Sequence, residues 1–322
     1  MNPRRDLDNI PSTEPDSLAL KKAWFGRNRF SAESLLKIAR EHRSNCSRLA
    51  LARSMDLPDR VINGWSKRVA AEHSWIYRPA RFDVKSFFRL LFYRVPYQIV
   101  HDRAVWLAFL LFYGLFFGSA FWCAGDPGRA EKMLGPAAIS QMEKMYEKPI
   151  NERNSGEGGR NDAIMAGFYI RNNAGIGLQC FGWGLVFGLG SIYILCSNAL
   201  QLGSVFGHMA TTPHWDNFST FVTAHSSYEL TAICLSAAAG LRMGYGLVET
   251  GGLSRAASLR ASSQESLPLI GAATLLFILA AFIEGFLSAS EVPYSLKLQC
   301  MILTALSMVW FVWLGLRKGA GA

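Results

Sequence analysis

Val105–Ala124 reads VWLAFLLFYGLFFGSAFWCA, a run without a single charge. At about 1.5 Å per residue this run is long enough to cross, as a helix, the roughly 30 Å of hydrocarbon in a bilayer. We read it as a first membrane span, and it constrains the fold more than any other feature. Further apolar segments follow at 174–196, at 198–212 (short), at 230–248, at 267–287 and at 301–316. Half of the 322 residues are apolar and the mean hydropathy is +0.15, above what a soluble enzyme of this length needs. The expected fold is therefore all-α: a polytopic helical membrane protein of about six spans behind an N-terminal cytosolic helical domain.

Charge sets the expected orientation. Residues 1–104 hold 20 Lys/Arg against 11 Asp/Glu, a surplus that equals the whole chain's +9. A basic block beside a first span holds that flank in the cytoplasm. Residues 1–30 contain no apolar core of a secretory signal, so the first span is expected to act as its own insertion signal. Within 1–104 apolar residues recur at helical spacing, as in Ala32–Arg40 and Leu49–Leu57. The basic and aromatic stretch Arg78–Arg94 suits a helix lying in the membrane interface, or one that only sets orientation.

Residues 125–171 carry seven basic and seven acidic side chains, and we expect an extracytoplasmic loop there with helix over Met133–Tyr146. Residues 105–316 then form the transmembrane domain, with a cytosolic tail at 317–322. Arg255, Arg260, Arg317 and Lys318 fall on the cytoplasmic side if 198–212 crosses; if it only dips in and out, the count becomes five. N- and C-termini are thus expected in the cytoplasm of a bacterial cell, the protein lying in its inner membrane.

Four G-x-x-x-G pairs, Gly114/Gly118, Gly184/Gly188, Gly203/Gly207 and Gly240/Gly244, fall in the apolar segments. Small residues at this spacing let helices approach closely in lipid, either within one bundle or across a homo-oligomer contact. Six cysteines are scattered without a Cys-x-x-Cys, and they read as small hydrophobes.

Ionisable groups at bilayer depth are uncommon and mark the first place to look for function. His225 and Glu229 sit four residues apart at the head of the 230–248 segment, on one helical face. Glu284 lies near the outer end of the 267–287 segment, level with Glu229 on the expected topology. Asn172, Asn173 and Asn198 complete a polar set at membrane depth. A zinc site needs three or four donors; His208 and His214 lack a ligand helix and there is no His-Glu-x-x-His, so neither metal nor cofactor is expected. Ser226 and Ser227 lack a nucleophile-elbow turn, and no phosphate-binding loop is present, so no enzyme activity is expected. The distance along a helix, roughly 20 Å, separates Arg242 from Glu229; its expected role is to snorkel to the interface.

Five blocks carry a resemblance. They are Ala71-Glu-His-Ser-Trp-Ile-Tyr77, Phe168-Tyr-Ile-Arg-Asn-Asn173, Ile194-Leu-Cys-Ser-Asn-Ala-Leu-Gln-Leu-Gly203, His225-Ser-Ser-Tyr-Glu229 with the helix to Leu241, and Ala281-Phe-Ile-Glu284-Gly-Phe. Together they resemble the stage II sporulation protein M-like integral membrane proteins. Two glycines of the family's pattern are missing, since Ala199 and Ser226 stand where the family shows Asn-Gly and Pro-His-Gly. The resemblance implies a non-enzymatic membrane protein that anchors partners. In spore formers the named member anchors a complex with two peptidoglycan-degrading enzymes; relatives elsewhere are often encoded beside MoxR-type ATPases. The expected function is therefore an inner-membrane scaffold or assembly protein linked to envelope remodelling. Expected partners are the lipid bilayer and other membrane or envelope proteins, a MoxR-type ATPase system or cell-wall hydrolases among them, with no nucleic acid. The alternative is a membrane-embedded subunit of a transporter or channel, motivated by Asn198, Gln201, His225, Glu229 and Glu284 and by a short third segment.

Overall fold

The computed structural model describes residues 32–76, 84–149, 173 and 175–317. Its described residues are helical with no strand, and five of its helices are long and apolar enough to cross a membrane. The chain divides into two compact units, Met1–Phe82 and Asp83–Ala322.

The described part of the first unit is a hairpin of α1 (Ala32–Ser54) and α2 (Asp59–Ile76). Asp56 takes a left-handed backbone at the turn, with φ of 50°. Ala52, Leu57, Val61 and Trp65 form its small core. Glu72 accepts from Asn45 Nδ2 at 2.7 Å and pairs with Arg68 at 3.1 Å, so its carboxylate ties the two helices where apolar contact is sparse.

The second unit begins with α3 (Val84–Arg89), a π-helical turn (Leu90–Arg94) and α4 (Val95–His101). This juxtamembrane segment belongs to the bundle because Val95 enters its core and Phe92 packs on Trp310 and Phe311. Phe87, Phe88 and Tyr93 stay exposed. The bundle's long helices are α5 (Arg103–Ala124), α8 (Leu189–Met209), α10 (Ser226–Val248), α11 (Arg255–Ile283, continued by a π-helical turn Glu284–Ser288) and α12 (Tyr294–Arg317). Short helices α6 (Pro127–Leu134), α7 (Pro136–Tyr146) and α9 (Trp215–Val222) form a cap at one end, where Tyr146 packs on Phe218 and Asn217 Nδ2 donates to Tyr146 O at 2.9 Å.

α5 and α8 run parallel: Gly203 faces the carbonyl of Phe116 and Gly207 that of Ala120, one turn further along both. Two parallel neighbours need a return crossing between them. Residues 173–188 supply it. They descend beside α10, from Asn173 at Glu284, through Gly177 at Ser236 and Phe277, to Gly184 at Gly240 and Gly188 at Gly244. The helix over 175–182 gives way to a 3-10 turn (Trp183–Leu185), after which Phe187 and Gly188 adopt φ of 52° and 81° and the chain reverses into α8.

Among the described residues the bundle thus holds five long apolar helices and one short descending segment, with boundaries that differ from the apolar runs in the sequence. The break lies at 183–188, not at 197, and the expected spans 174–196 and 198–212 become one short descending segment followed by a full helix of 21 residues, Leu189–Met209. The reason is local. Hydropathy sees Trp183–Gly188 as uninterrupted apolar sequence, whereas three glycines at 182, 184 and 188 permit a turn there. Arg255 and Arg260, expected in a loop, stand in the first turns of α11, which Ser254 caps by accepting from Ala257 N.

α10 is central: 67% of its apolar window is buried, against 11% for α12. Its run Ala232–Gly240 of mostly small residues allows α11 and the descending segment to approach closely. A Cβ at Gly184, Gly203, Gly207, Gly240 or Gly244 would strike neighbouring backbone. Gly114 and Gly118 meet nothing within 4 Å among the described residues, so α5 uses the other side for packing within the chain.

Candidate functional site

Two clusters of charge mark the two ends of the bundle. At the end opposite the cap, Arg242 of α10 pairs with Asp102 and, at 2.7 Å, with Glu265 of α11. Asp102 also caps α5 by accepting from Ala104 N at 2.9 Å, and Gln98 Nε2 donates to Glu265 O at 3.0 Å. Arg242 thus clasps three elements, where the sequence suggested snorkelling. Spacing along one helix could not show this, since its partners lie 140 and 23 residues away.

At the cap end, three elements meet below α9. His225 lies in the turn ahead of α10, Glu229 in its first turn, and Glu284 opens the π-helical turn that ends α11. Their ligand-type atoms all lie within 4.8 Å of one another. His225 Nε2 stands 3.4 Å from Glu229 Oε2, and His225 Nδ1 is 2.8 Å from Ser288 Oγ. Asn173 Nδ2 donates to Glu284 Oε2 at 3.3 Å. Lys297, from the first turn of α12, donates to the carbonyls of Ser288 and Ser290 at 2.8 and 2.9 Å.

Local sequence explains this convergence. The i, i+4 spacing puts His225 and Glu229 on one face. The π turn Glu284–Ser288 widens the helix end and leaves Glu284 and Ser288 both buried; such turns gather at functional positions. Asn173, His225, Glu284 and Ser288 are buried, and Glu229 is half-buried. Phe221 of α9 sets its ring edge-on against the His225 imidazole, with centroids 5.8 Å apart.

Of the expected polar set, Asn173, His225, Glu229 and Glu284 come together. Asn198 does not join them; its Nδ2 donates to Ile194 O at 2.8 Å within α8. Gln201 is exposed, and Asn172 lies outside the described residues. His208, in the last turn of α8, is buried and meets Glu143 of the cap at 2.8 Å. Ser226 Oγ donates to Thr223 O, capping chain locally rather than facing His225. Ser288 and Lys297 are the site residues that sequence reasoning missed. Lys297 carried a signal, a lone cation heading an apolar segment; Ser288 carried none.

The family model Stage II sporulation protein M matches residues 106–289. The match covers more than half of the chain and contains Asn173, His225, Glu229, Glu284 and Ser288. No curated protein and no solved structure matches the chain.

Proposed function

The chain belongs to the stage II sporulation protein M family, and on that premise we propose that it is a non-enzymatic scaffold of the bacterial inner membrane that anchors partner proteins. One observation carries this reading: the polar groups at both ends of the bundle are spent on joining its own helices. Arg242 clasps α5, α10 and α11 at one end, and the His225–Ser288 and Asn173–Glu284 contacts fasten the other. A membrane body fixed in this way suits a platform for other proteins. The cap of α6, α7 and α9, held together by Tyr146, Met209 and Phe218, and the charged hairpin α1–α2 are the parts we assign to partner docking.

Orientation follows from charge. Arg103, Arg255 and Arg317 all stand at the bundle end opposite the cap, which supports placing that end and both termini in the cytoplasm. The cap then faces envelope partners such as cell-wall hydrolases, and the hairpin faces cytoplasmic partners such as a MoxR-type ATPase. The test is crosslinking in cells followed by purification in mild detergent. Specific co-recovery of envelope or membrane proteins is expected; recovery of the chain alone overturns the reading.

A transporter or channel subunit is the second reading, favoured by the interrupted descending segment beside α10. Solute flux in reconstituted vesicles that falls on Glu229→Gln and Glu284→Gln would favour it over the scaffold.

A further inference from the structure

The geometry points to a divalent transition-metal site formed by His225, Glu229 and Glu284, with zinc as the class of ion it takes. By sequence alone the pair His225/Glu229 lacks a third donor. The fold brings one from 55 residues further along the chain, at the π-helical turn that closes α11.

Four observations support it. First, the spacing matches: a tetrahedral zinc with bonds of about 2.0–2.1 Å holds neighbouring donors about 3.3–3.4 Å apart, and His225 Nε2 stands 3.4 Å from Glu229 Oε2. The third donor completes the set within 4.8 Å, a gap that a glutamate's side-chain torsions can close. Second, the charge matches. Metal ligands bind as carboxylates and neutral imidazole, so the donor set carries minus two when an ion is bound, which one divalent cation balances where unpaired burial of charge is costly.

Third, the donors are held from behind, as metal ligands are. In the metal-binding tautomer His225 Nδ1–H donates to Ser288 Oγ at 2.8 Å and leaves the Nε2 lone pair facing the carboxylates. Asn173 holds Glu284 Oε2, and Lys297 pins the turn that carries Ser288 through two of its carbonyls. Fourth, the site is not sealed, because the Glu229 side chain keeps 18% of its surface exposed. An imidazole among the donors selects zinc-like ions over magnesium or calcium, which prefer all-oxygen shells. The ion would fasten the descending segment, α10 and α11 at the cap end.

The test uses the full chain, purified in detergent without a polyhistidine tag, stripped with EDTA and titrated with Zn²⁺ against a chromogenic chelator. One zinc per chain is expected, undisturbed by equimolar Mg²⁺. Ser288→Ala should weaken zinc by about 10–100-fold, and His225→Ala and Glu284→Gln by more; Asn198→Ala should change nothing. X-ray absorption at the zinc edge should show one imidazole and otherwise oxygen donors. Absence of stoichiometric zinc, sulfur in the shell, or unaltered affinity in Glu284→Gln overturns the site. Stoichiometry and donor type are read on the wild-type chain, so they decide even where a variant fails to fold. Neither depends on whether partner proteins are recovered.

Discussion

Asn173 and Glu284 lie 111 residues apart in sequence and meet through a buried hydrogen bond of 3.3 Å. The contact ties the top of the descending segment to the π turn of α11, so it fixes where the return pass begins. Removing the donor leaves a carboxylate oxygen without that partner in a buried site. Asn173→Ala should destabilise the purified protein by about 1–3 kcal/mol, measured by thermal unfolding in detergent. Asn173→Asp, which adds a third carboxylate beside Glu229 and Glu284, should be worse than alanine.

The glycines separate into two classes that substitution should distinguish. At Gly240 a Cβ would meet the Cys180 carbonyl and Ser191, and at Gly184 the backbone of Gly240. Gly240→Ala or Gly184→Ala should therefore cost about 1–3 kcal/mol through overpacking and lower the yield of monodisperse protein on size exclusion. Gly118→Ala meets open space among the described residues and should leave that yield unchanged.

Arg242 joins Asp102, which is largely buried, to Glu265, which is half-exposed. Loss of one partner of a buried pair costs about 3–5 kcal/mol; with solvent reaching Arg242 and Glu265 the expected loss for Arg242→Ala is about 2 kcal/mol. Arg242→Lys keeps the charge but not the fork that reaches two carboxylates, and thermal unfolding should place it between wild type and alanine.

His208 is buried at the end of α8, with Glu143 of the cap as the partner of one ring nitrogen, while Nδ1 has none among the described residues. Glu143→Ala strands the second nitrogen as well. We expect the cap to loosen by about 1–2 kcal/mol, seen as faster hydrogen exchange in α7 and α9 with the remainder of the bundle unchanged.

The reversal at Phe187–Gly188 predicts that residue 187 and residue 211 lie at opposite ends of the bundle, joined by α8. In a background lacking the native cysteines, Phe187→Cys and Thr211→Cys should label from opposite sides of sealed vesicles. Labelling of both from one side would contradict a crossing by α8.

Much of the membrane domain was legible because burial in lipid demands long uncharged runs, and four of those runs, at 105–124, 230–248, 267–287 and 301–316, overlap α5, α10, α11 and α12. The second and third were misdivided because hydropathy averages over Trp183–Gly188, whereas the break depends on backbone angles that only glycine and a strained Phe187 adopt. His225 with Glu229 was legible for a similar reason: four-residue spacing defines a helix face. Ser288 was not, because a serine gains meaning only from what it faces.

The sequence by itself determined that this chain is a helical membrane protein, and that ionisable groups fall at the head of one apolar segment and near the end of another. Those properties are local sums of transfer energy and charge along the chain. Tertiary structure alone decided that Arg242 binds Asp102 and Glu265, that α5 and α8 run parallel around a short return pass, and that Glu284 completes a triad with His225 and Glu229. Each of these joins residues distant in sequence, and such contacts form only when close helix packing brings their elements together.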